Sequence, residues 1–389
     1  MKKKLNIAMI GTGFMGRAHS FAWQNVDRFF DVPYEPVLKA VSSGHADKAE
    51  AFAGKWGYQE FANDWTALVN RPDIDVVCVV TPPYLHKDIA VAAAKAGKHI
   101  FCEKPCALNH EEVKQMLQAA EQAGVVHYLN HNYRRLPAVT YAKQLIDEGR
   151  LGTIYHWRGA YLQDWIMDPD FPLTWHFHKD MAGGGPMIDL TSHSVDLARY
   201  LVGEIKAVSA INKTFITERP LPGVGAATFS SGSQVSTAKG KVEVDDASFA
   251  IAEFENGAIG SIETTRFASG RKNANLFEIY GSLGALRFDL ERLNELDFLD
   301  FSEPSNEQGF RSIQVNNMSH PYAGAWWAPG HGLGYENSFV HAVADFLKAI
   351  DGKAEVTPNF SDGVKIMQVI GAISKAGDIG RRVEISEMA

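Results

Sequence analysis

Apolar positions in the first 150 residues fall into short unbroken runs, separated by stretches in which they recur every three or four residues. The runs are Leu5–Ile10, Val37–Ser42, a short one near Tyr58, Asp75–Val80, Lys98–Cys102 and Val125–Asn130. Runs without alternation are what strands covered on both faces show. Between them the spacing predicts helices after Gly16, over Asp47–Lys55, from Asn63-Asp64-Trp65, over Lys87–Ala96, His110–Ala123 and Pro137–Glu148, the last closed by Gly149. About six strands alternating with helices predict an α/β fold with a doubly wound parallel sheet.

After Gly152 the pattern changes. Thr153–Leu162 (TIYHWRGAYL) alternates, as a strand with one buried face does. A helix is predicted over Pro186–Leu201. Strands are predicted over Lys206–Ile216, Glu243–Glu255, Ala258–Arg266, Asn275–Tyr280, Ala285–Leu290 and Glu295–Leu299. Glu255-Asn256-Gly257-Ala258 reads as a hairpin turn and Gly281-Ser282-Leu283-Gly284 as a second. Leu221–Lys239 reads as a long mobile loop and Gly309–Gly334 as irregular. Helices follow over Tyr335–Ile350 and Ser361–Lys375, at least one of them expected to pack back on the first domain. The division is therefore an α/β domain over 1–135 and an α+β domain over 136–389, with a large, open, mostly antiparallel sheet. One face of that sheet is expected to carry helices and the other to be an oligomer face.

Composition narrows the function classes. At 389 residues two domains are expected, and 46% hydrophobic with 22% charged residues is ordinary for a globular chain. A formal net charge of −8 argues against nucleic acid or an anionic membrane as partner. Three cysteines, Cys78, Cys102 and Cys106, are too few for a disulfide framework, and they lack metal-ligand spacing. The start MKKKLNIAMIG has an apolar run of only about six residues that leads into a glycine turn, so it is not read as a signal. No run approaches the roughly 20 apolar residues of a membrane span, and the expected location is cytoplasmic.

The chemistry-bearing stretches begin at the first turn. Gly11, Gly13 and Gly16 are spaced G-x-G-x-x-G directly after a strand and open a helix. The first glycine permits the sharp turn, the second a close approach to a pyrophosphate, and the third tight helix packing. Gly11, Gly13, Phe14, Met15 and Gly16 are thus candidate cofactor residues. At the end of the second strand Ser43 stands where an Asp or Glu would bind the ribose of NAD. Without that carboxylate NADP is not repelled, so the cofactor is NAD or NADP with a slight lean to NADP or dual use. The alternative is that Ser43 only caps the next helix. Thr81-Pro82-Pro83-Tyr84-Leu85-His86 follows the fourth strand at its carboxyl end. Thr81 and Pro82 are assigned to the cofactor, and His86 either to the cofactor edge or to a helix start.

Glu103-Lys104-Pro105 ends the next strand, which places Lys104 near a nicotinamide if the first turn binds one. Then come Asn132-Tyr133-Arg134-Arg135 and a loop dense in aromatic and polar groups, with Gln163, Asp164, Trp165, Asp168, Trp175, His176 and His178. Such a loop lines a sugar site or anchors packing. On a helix from Pro186, Asp189 and His193 share one face. They read as a general acid/base pair, a helix-face hydrogen bond or a metal site, and a third metal ligand is not evident.

G-T-G-F-M-G at Gly11–Gly16, E-K-P at Glu103–Pro105 and G-G-G-P-M-I-D-L-T-S-H at Gly183–His193 stand in order. Together they resemble the glucose–fructose oxidoreductase/inositol dehydrogenase/rhizopine catabolism (Gfo/Idh/MocA) family over nearly the whole chain. The resemblance implies an N-terminal Rossmann domain, an open C-terminal sheet, and dimers or tetramers. It implies that Lys104, Asp189 and His193 are catalytic, with Glu103 beside the cofactor and Tyr133, Gln163, Trp165 and His176 on the substrate. R-G-A-Y-L-Q-D-W at Arg158–Trp165 and N-Y-R-R at Asn132–Arg135 resemble the branch holding levoglucosan, scyllo-inositol and L-glucose dehydrogenases. The implied activity is NAD(P)-dependent oxidation of a secondary hydroxyl on a cyclic polyol or pyranose. His193 takes the proton, Lys104 binds the oxygen, and Asp189 orients His193 or bonds a neighbouring hydroxyl. His176 departs from an Arg found in some relatives. Two further readings remain: a closed redox cycle on tightly held cofactor, and a cofactor-binding sensor.

Overall fold

The apolar runs of the first 130 residues pair as a single parallel sheet: β1 (Lys3–Ile10), β2 (Tyr34–Ser42), β3 (Glu60–Ala62), β4 (Val76–Val79), β5 (His99–Glu103) and β6 (His127–Asn130). The order is β3-β2-β1-β4-β5-β6. The computed structural model describes residues 2–223 and 235–389. The chain splits into one unit of Met1–Pro137 with Asn316–Lys365 and another of Ala138–Val315 with Ile366–Ala389.

In the first unit the strand order reverses between β1 and β4. That switch point is where a doubly wound sheet opens a crevice at its carboxyl ends. Helix α1 (Phe14–Phe29) leaves the end of β1, and Tyr335–Ile350 packs against it. Phe339 and Phe346 of that later helix sit in the same core as Leu5, Ile7, Trp23 and Phe101. Phe346 meets Trp23 and Phe101 edge-on, with centroids 6.2 and 5.2 Å apart. The core of this unit thus draws on residues from both ends of the sequence.

The second unit is built on β7 (Ile154–Leu162), β8 (Ile205–Lys213), β9 (Glu218–Pro222), β10 (Val235–Lys241), β11 (Ala247–Phe254), β12 (Ile259–Thr265), β13 (Ala274–Gly281), β14 (Gly284–Asp289), β15 (Glu295–Asp300), β16 (Arg311–Gln314) and β17 (Val383–Glu384). Nine of these form one sheet, ordered β16-β15-β14-β13-β7-β12-β11-β8-β17. Every pair is antiparallel except β7 with β12. Trp157, Ala250, Ile262 and Phe277 point to a buried face, on which helix Thr191–Leu201 packs. The opposite face carries Ile211, Phe249, Ile251 and Ile259, all exposed. Phe249 lies directly opposite Ile211, and Glu253, two residues beyond Ile251, opposite Ile259.

Three local expectations are corrected. Leu221–Lys239 is not a continuous loop: β9 and β10 pair as a hairpin, and residues 224–234 of that stretch lie outside the described residues. The helix expected over Pro186–Leu201 is two helices, Pro186–Asp189 and Thr191–Leu201. Side-chain hydroxyls compete with the backbone there. Ser192 Oγ donates to the Asp189 carbonyl (3.0 Å), and the His193 N–H turns to Leu190 (3.1 Å). Within the stretch read as irregular, Arg311–Gln314 is a short edge strand whose largely exposed side chains give no apolar signal.

Candidate active site

At the carboxyl end of β1, Gly11 has φ +119°, and a Cβ there would stand 2.7 Å from the Val80 carbonyl oxygen. A Cβ on Gly16 would stand 2.7 Å from the Gly11 carbonyl oxygen. These two glycines are demanded by the packing of the turn itself. Gly13 differs: a Cβ there would meet nothing within 4 Å. It precedes α1 with no side-chain cap and no acidic residue in the first turn, so the helix start keeps its N–H groups and positive end open. Phe14 is exposed and Met15 half-buried. Across the switch point Thr81 Oγ1 is buried without a hydrogen-bond partner among the described residues. An open glycine cradle, an uncapped helix start and an orphaned hydroxyl fit a dinucleotide pyrophosphate.

Ser43 is half-buried just past β2, its N–H donating to the Ala62 carbonyl (3.3 Å). Pro82 is half-buried. His86 is fully buried, its two ring nitrogens against the carbonyls of Thr81 (2.8 Å) and Pro105 (3.1 Å). Burial lowers its pKa. Enclosed His86 sits between the loop after β4 and the loop after β5 and opens the helix His86–Lys95, as the helix-start reading had it.

Glu103 is also buried, and sequence reasoning missed its partners. Its Oε1 accepts from His19 Nε2 (2.6 Å) and Asn130 Nδ2 (2.7 Å), and its Oε2 from the Lys104 N–H (3.1 Å). Burial would raise Glu103, but the hydrogen bond and charge of His19 hold it low. Burial likewise pulls His19 down, while the Cys78 sulfur and the Glu103 carboxylate raise it, to about 10. Both shifts favour the charged forms of the pair, and the Glu103 carboxylate anchors the main chain of half-buried Lys104. Eighty-four positions separate the two residues, so local pattern carries no trace of the contact.

Tyr133 is buried in the short turn Asn132–Arg135. Its ring lies 6.4 Å from that of Tyr335, which in turn lies 6.3 Å from Phe14. Asn132 donates to Ser338 Oγ (2.8 Å), and Arg135 pairs with Asp345 (2.9 Å). The N-Y-R-R stretch is thus fixed by the later segment of its own unit.

In the second unit the structure gathers Gln163, Trp165, His176, Asp189 and His193 through a chain of contacts. The Trp165 indole N–H donates to Gln163 Oε1 (2.8 Å), and the Trp165 ring meets His176 edge-on at 5.6 Å. Arg266, almost fully buried, stacks its guanidinium over Trp165 at 5.0 Å and forms an ion pair with Asp189. His193 is 3% exposed and lies 5.7 Å from the Tyr161 ring. Asp245 accepts from the N–H groups of Gly185 and Met187, both at 2.8 Å, closing the helix that presents Asp189. Thr191 Oγ1 bonds Thr264 Oγ1 (2.7 Å), fixing the next helix to β12. The aromatic loop has its own small core of Ile166, Phe171, Leu173 and Phe177. Arg219 pins it, donating to the carbonyls of Ile166 (2.7 Å) and Asp168 (2.8 Å) under the Phe177 ring. Tyr161, Arg219 and Arg266 were not singled out from sequence. Neither Arg219 on β9 nor Arg266 just past β12 carries a local mark of what it will hold.

A glycine turn at the switch point of a doubly wound sheet defines a dinucleotide-binding protein. Residues 5–131 match the oxidoreductase family with an NAD-binding Rossmann fold, and residues 139–287 the GFO/IDH/MocA C-terminal domain. Levoglucosan dehydrogenase of Pseudarthrobacter phenanthrenivorans is 41% identical over 389 residues, the whole of both chains. The NAD(+)-dependent scyllo-inositol 2-dehydrogenase of Bacillus subtilis is 31% identical over 273 residues, 68% of each chain. A solved levoglucosan dehydrogenase in complex with NADH superposes with a TM-score of 0.93 at 41% identity, covering 98% of this chain and 99% of that one. The chain belongs to the Gfo/Idh/MocA family of oxidoreductases and is an NAD-binding dehydrogenase. The closed-cycle and sensor readings gain no support from these relatives. Among the described residues no helix is long and apolar enough to cross a membrane.

Proposed function

We propose that this protein oxidises a secondary hydroxyl of a pyranose, anhydrosugar or cyclic polyol, with NAD as acceptor. The observation that carries the reading is the joined set Gln163, Trp165, His176, Asp189 and His193. It combines flat aromatic faces for C–H surfaces with polar groups for hydroxyls, and it lies within a chain similar over its full length to a levoglucosan dehydrogenase.

The bound nicotinamide supplies a two-electron hydride acceptor. The chain supplies the rest. His193 takes the hydroxyl proton as general base. Lys104, its main chain fastened to the Glu103 carboxylate, holds the reacting oxygen and stabilises the negative charge that develops there. Asp189, already neutralised by Arg266, hydrogen-bonds a neighbouring hydroxyl in preference to acting as a second base. Tyr133, Gln163, Trp165 and His176 contact the sugar. Gly11, Gly13, Phe14, Met15, Gly16, Ser43, Thr81, Pro82 and Glu103 hold the cofactor, aided by His86. Ser43 removes the usual carboxylate at the ribose, so NADP is accepted beside NAD.

The exposed apolar face of the nine-stranded sheet is covered by a second copy of the chain, giving a dimer or a tetramer. The catalytic assignment is tested with Lys104→Ala and His193→Ala. Each is expected to cut turnover at least about 100-fold while NADH affinity, read by fluorescence, changes less than about threefold. Near-normal turnover in either variant contradicts its assigned role.

A further inference from the structure

The residue between the end of the β12–β13 connection and the candidate sugar residues is Asn273. This connection, 266–273, is clasped to the chain leaving β7. Ala268 N–H donates to the Gln163 carbonyl (2.9 Å), and Gly270 N–H donates to Asp164 Oδ2 (2.9 Å). Lys272 Nζ pairs with the same carboxylate (2.8 Å). Glu291, from the turn after β14, takes the N–H groups of Lys272 (2.8 Å) and Asn273 (3.0 Å) on one oxygen. Those main-chain bonds and Arg271 hold its carboxyl below the usual range, so it stays charged.

The hydrogen bonds that meet at Asn273 have a forced direction. An indole N–H only donates, so the Trp165 bond at 2.8 Å makes its partner on Gln163 the amide oxygen. Gln163 then presents its NH₂ to Asn273, and the acceptor there is Oδ1, at 2.9 Å. The same Oδ1 accepts from the Tyr161 hydroxyl at 2.7 Å. The Tyr161 ring lies 5.7 Å from that of His193. The Trp165 N–H and the Asn273 oxygen together hold the Gln163 amide one way round, and the same oxygen ties down the ring beside His193. Among the described residues Gln163 is left with one N–H and one oxygen lone pair, in a defined order, for a substrate.

We propose that Asn273 is a positioning residue for sugar recognition: its side-chain oxygen locks the amide orientation of Gln163 and the ring of Tyr161 beside His193, and so selects the hydroxyl pattern that is bound. This rests on the sugar dehydrogenase reading above.

The test compares Asn273→Leu, which removes the acceptor, with Asn273→Asp, which keeps an oxygen for both donors. Steady-state kinetics are read with NAD against epimeric pyranoses and inositols. The Leu variant is expected to raise KM for the best sugar about tenfold or more, with kcat falling less, KM for NAD unchanged, and the order of preferred epimers altered. The Asp variant is expected to stay within about threefold of wild type. If the Leu variant does not fold, Asn273→Ala serves in its place. A folded Leu or Ala variant with wild-type KM and epimer order overturns the proposal, as does equal impairment of the Asp and Leu variants. No turnover by the wild-type enzyme on any sugar removes the dehydrogenase reading and this inference together. An active wild type with an indifferent variant removes this inference alone.

Discussion

At the scale of single residues, the glycine motif separates into structural and functional members. Gly11 and Gly16 are fixed by contacts inside the turn, whereas Gly13 faces open space. The spacing was legible from sequence, as was the Glu103-Lys104-Pro105 corner. What made that corner rigid was not: His19 lies on the first helix, and its tie to Glu103 exists only once β5 and α1 are packed. The same holds for Asp189, whose partner Arg266 is 77 positions away. His19 and Glu103 make a testable pair. Replacing His19 with Leu strips a buried carboxylate of its charged partner and leaves it only the Asn130 and Lys104 N–H donors, which is expected to cost about 3–5 kcal/mol in urea unfolding. The pH dependence has a definite sign. His19 is raised in the fold from 6.5 to about 10, so its contribution is full below pH 6.5 and is lost as pH rises towards 10. Glu103 is lowered in the fold, so its contribution is present above the ordinary glutamate range, about pH 4.3, and is lost as pH falls below it. The stability gap between wild type and His19→Leu should therefore be widest near pH 5–6 and shrink by pH 10. A gap that is flat across that range contradicts an ionised pair.

At the scale of elements, several helices and strands were found within a residue or two, while Glu243–Glu255, Lys206–Ile216 and Ser361–Lys375 missed one end by three or four residues. His110–Ala123 and Tyr335–Ile350 match their sequence boundaries, and β7 begins one residue late. The failures were local competitions. Ser192 interrupts the helix that carries Asp189 and His193, because its hydroxyl takes the Asp189 carbonyl that a continuous helix would have bonded to the His193 N–H. The β9–β10 hairpin was hidden because β9 carries Pro220 and Pro222, and because Ser, Ala and Gly in β10 give little strand signal. That hairpin carries Arg219, the residue that holds the aromatic loop. Arg219→Met keeps the bulk but strips the donors from the carbonyls of Ile166 and Asp168. It is expected to lower stability by about 2–4 kcal/mol and to raise KM for the sugar more than it lowers kcat, both measurable on the purified variant. An unchanged KM would show that the loop holds its shape without this arginine.

At the scale of the whole molecule, the alternation of strand and helix predicted the parallel sheet, and the hairpin turns predicted the larger antiparallel one. The helix Tyr335–Ile350 packs back on the first domain as expected, and the whole of 316–365 groups with it because that core receives Phe339 and Phe346. The outer sheet face has a clear physical consequence. Ile211, Phe249, Ile251 and Ile259 leave an apolar surface that a lone chain would expose to water. Ile251→Arg is expected to shift the assembly towards monomer in light scattering, without unfolding it, and an unchanged mass would place the subunit contact elsewhere. The central claim is chemical, and one assay addresses it most directly. Nicotinamide absorbance is followed with NAD and NADP separately, against inositols, pyranoses, anhydrosugars and sugar phosphates. The account predicts reduction of NAD by a pyranose, anhydrosugar or inositol, with NADP also accepted. Silence across the panel, with cofactor still bound to the purified protein, would contradict it.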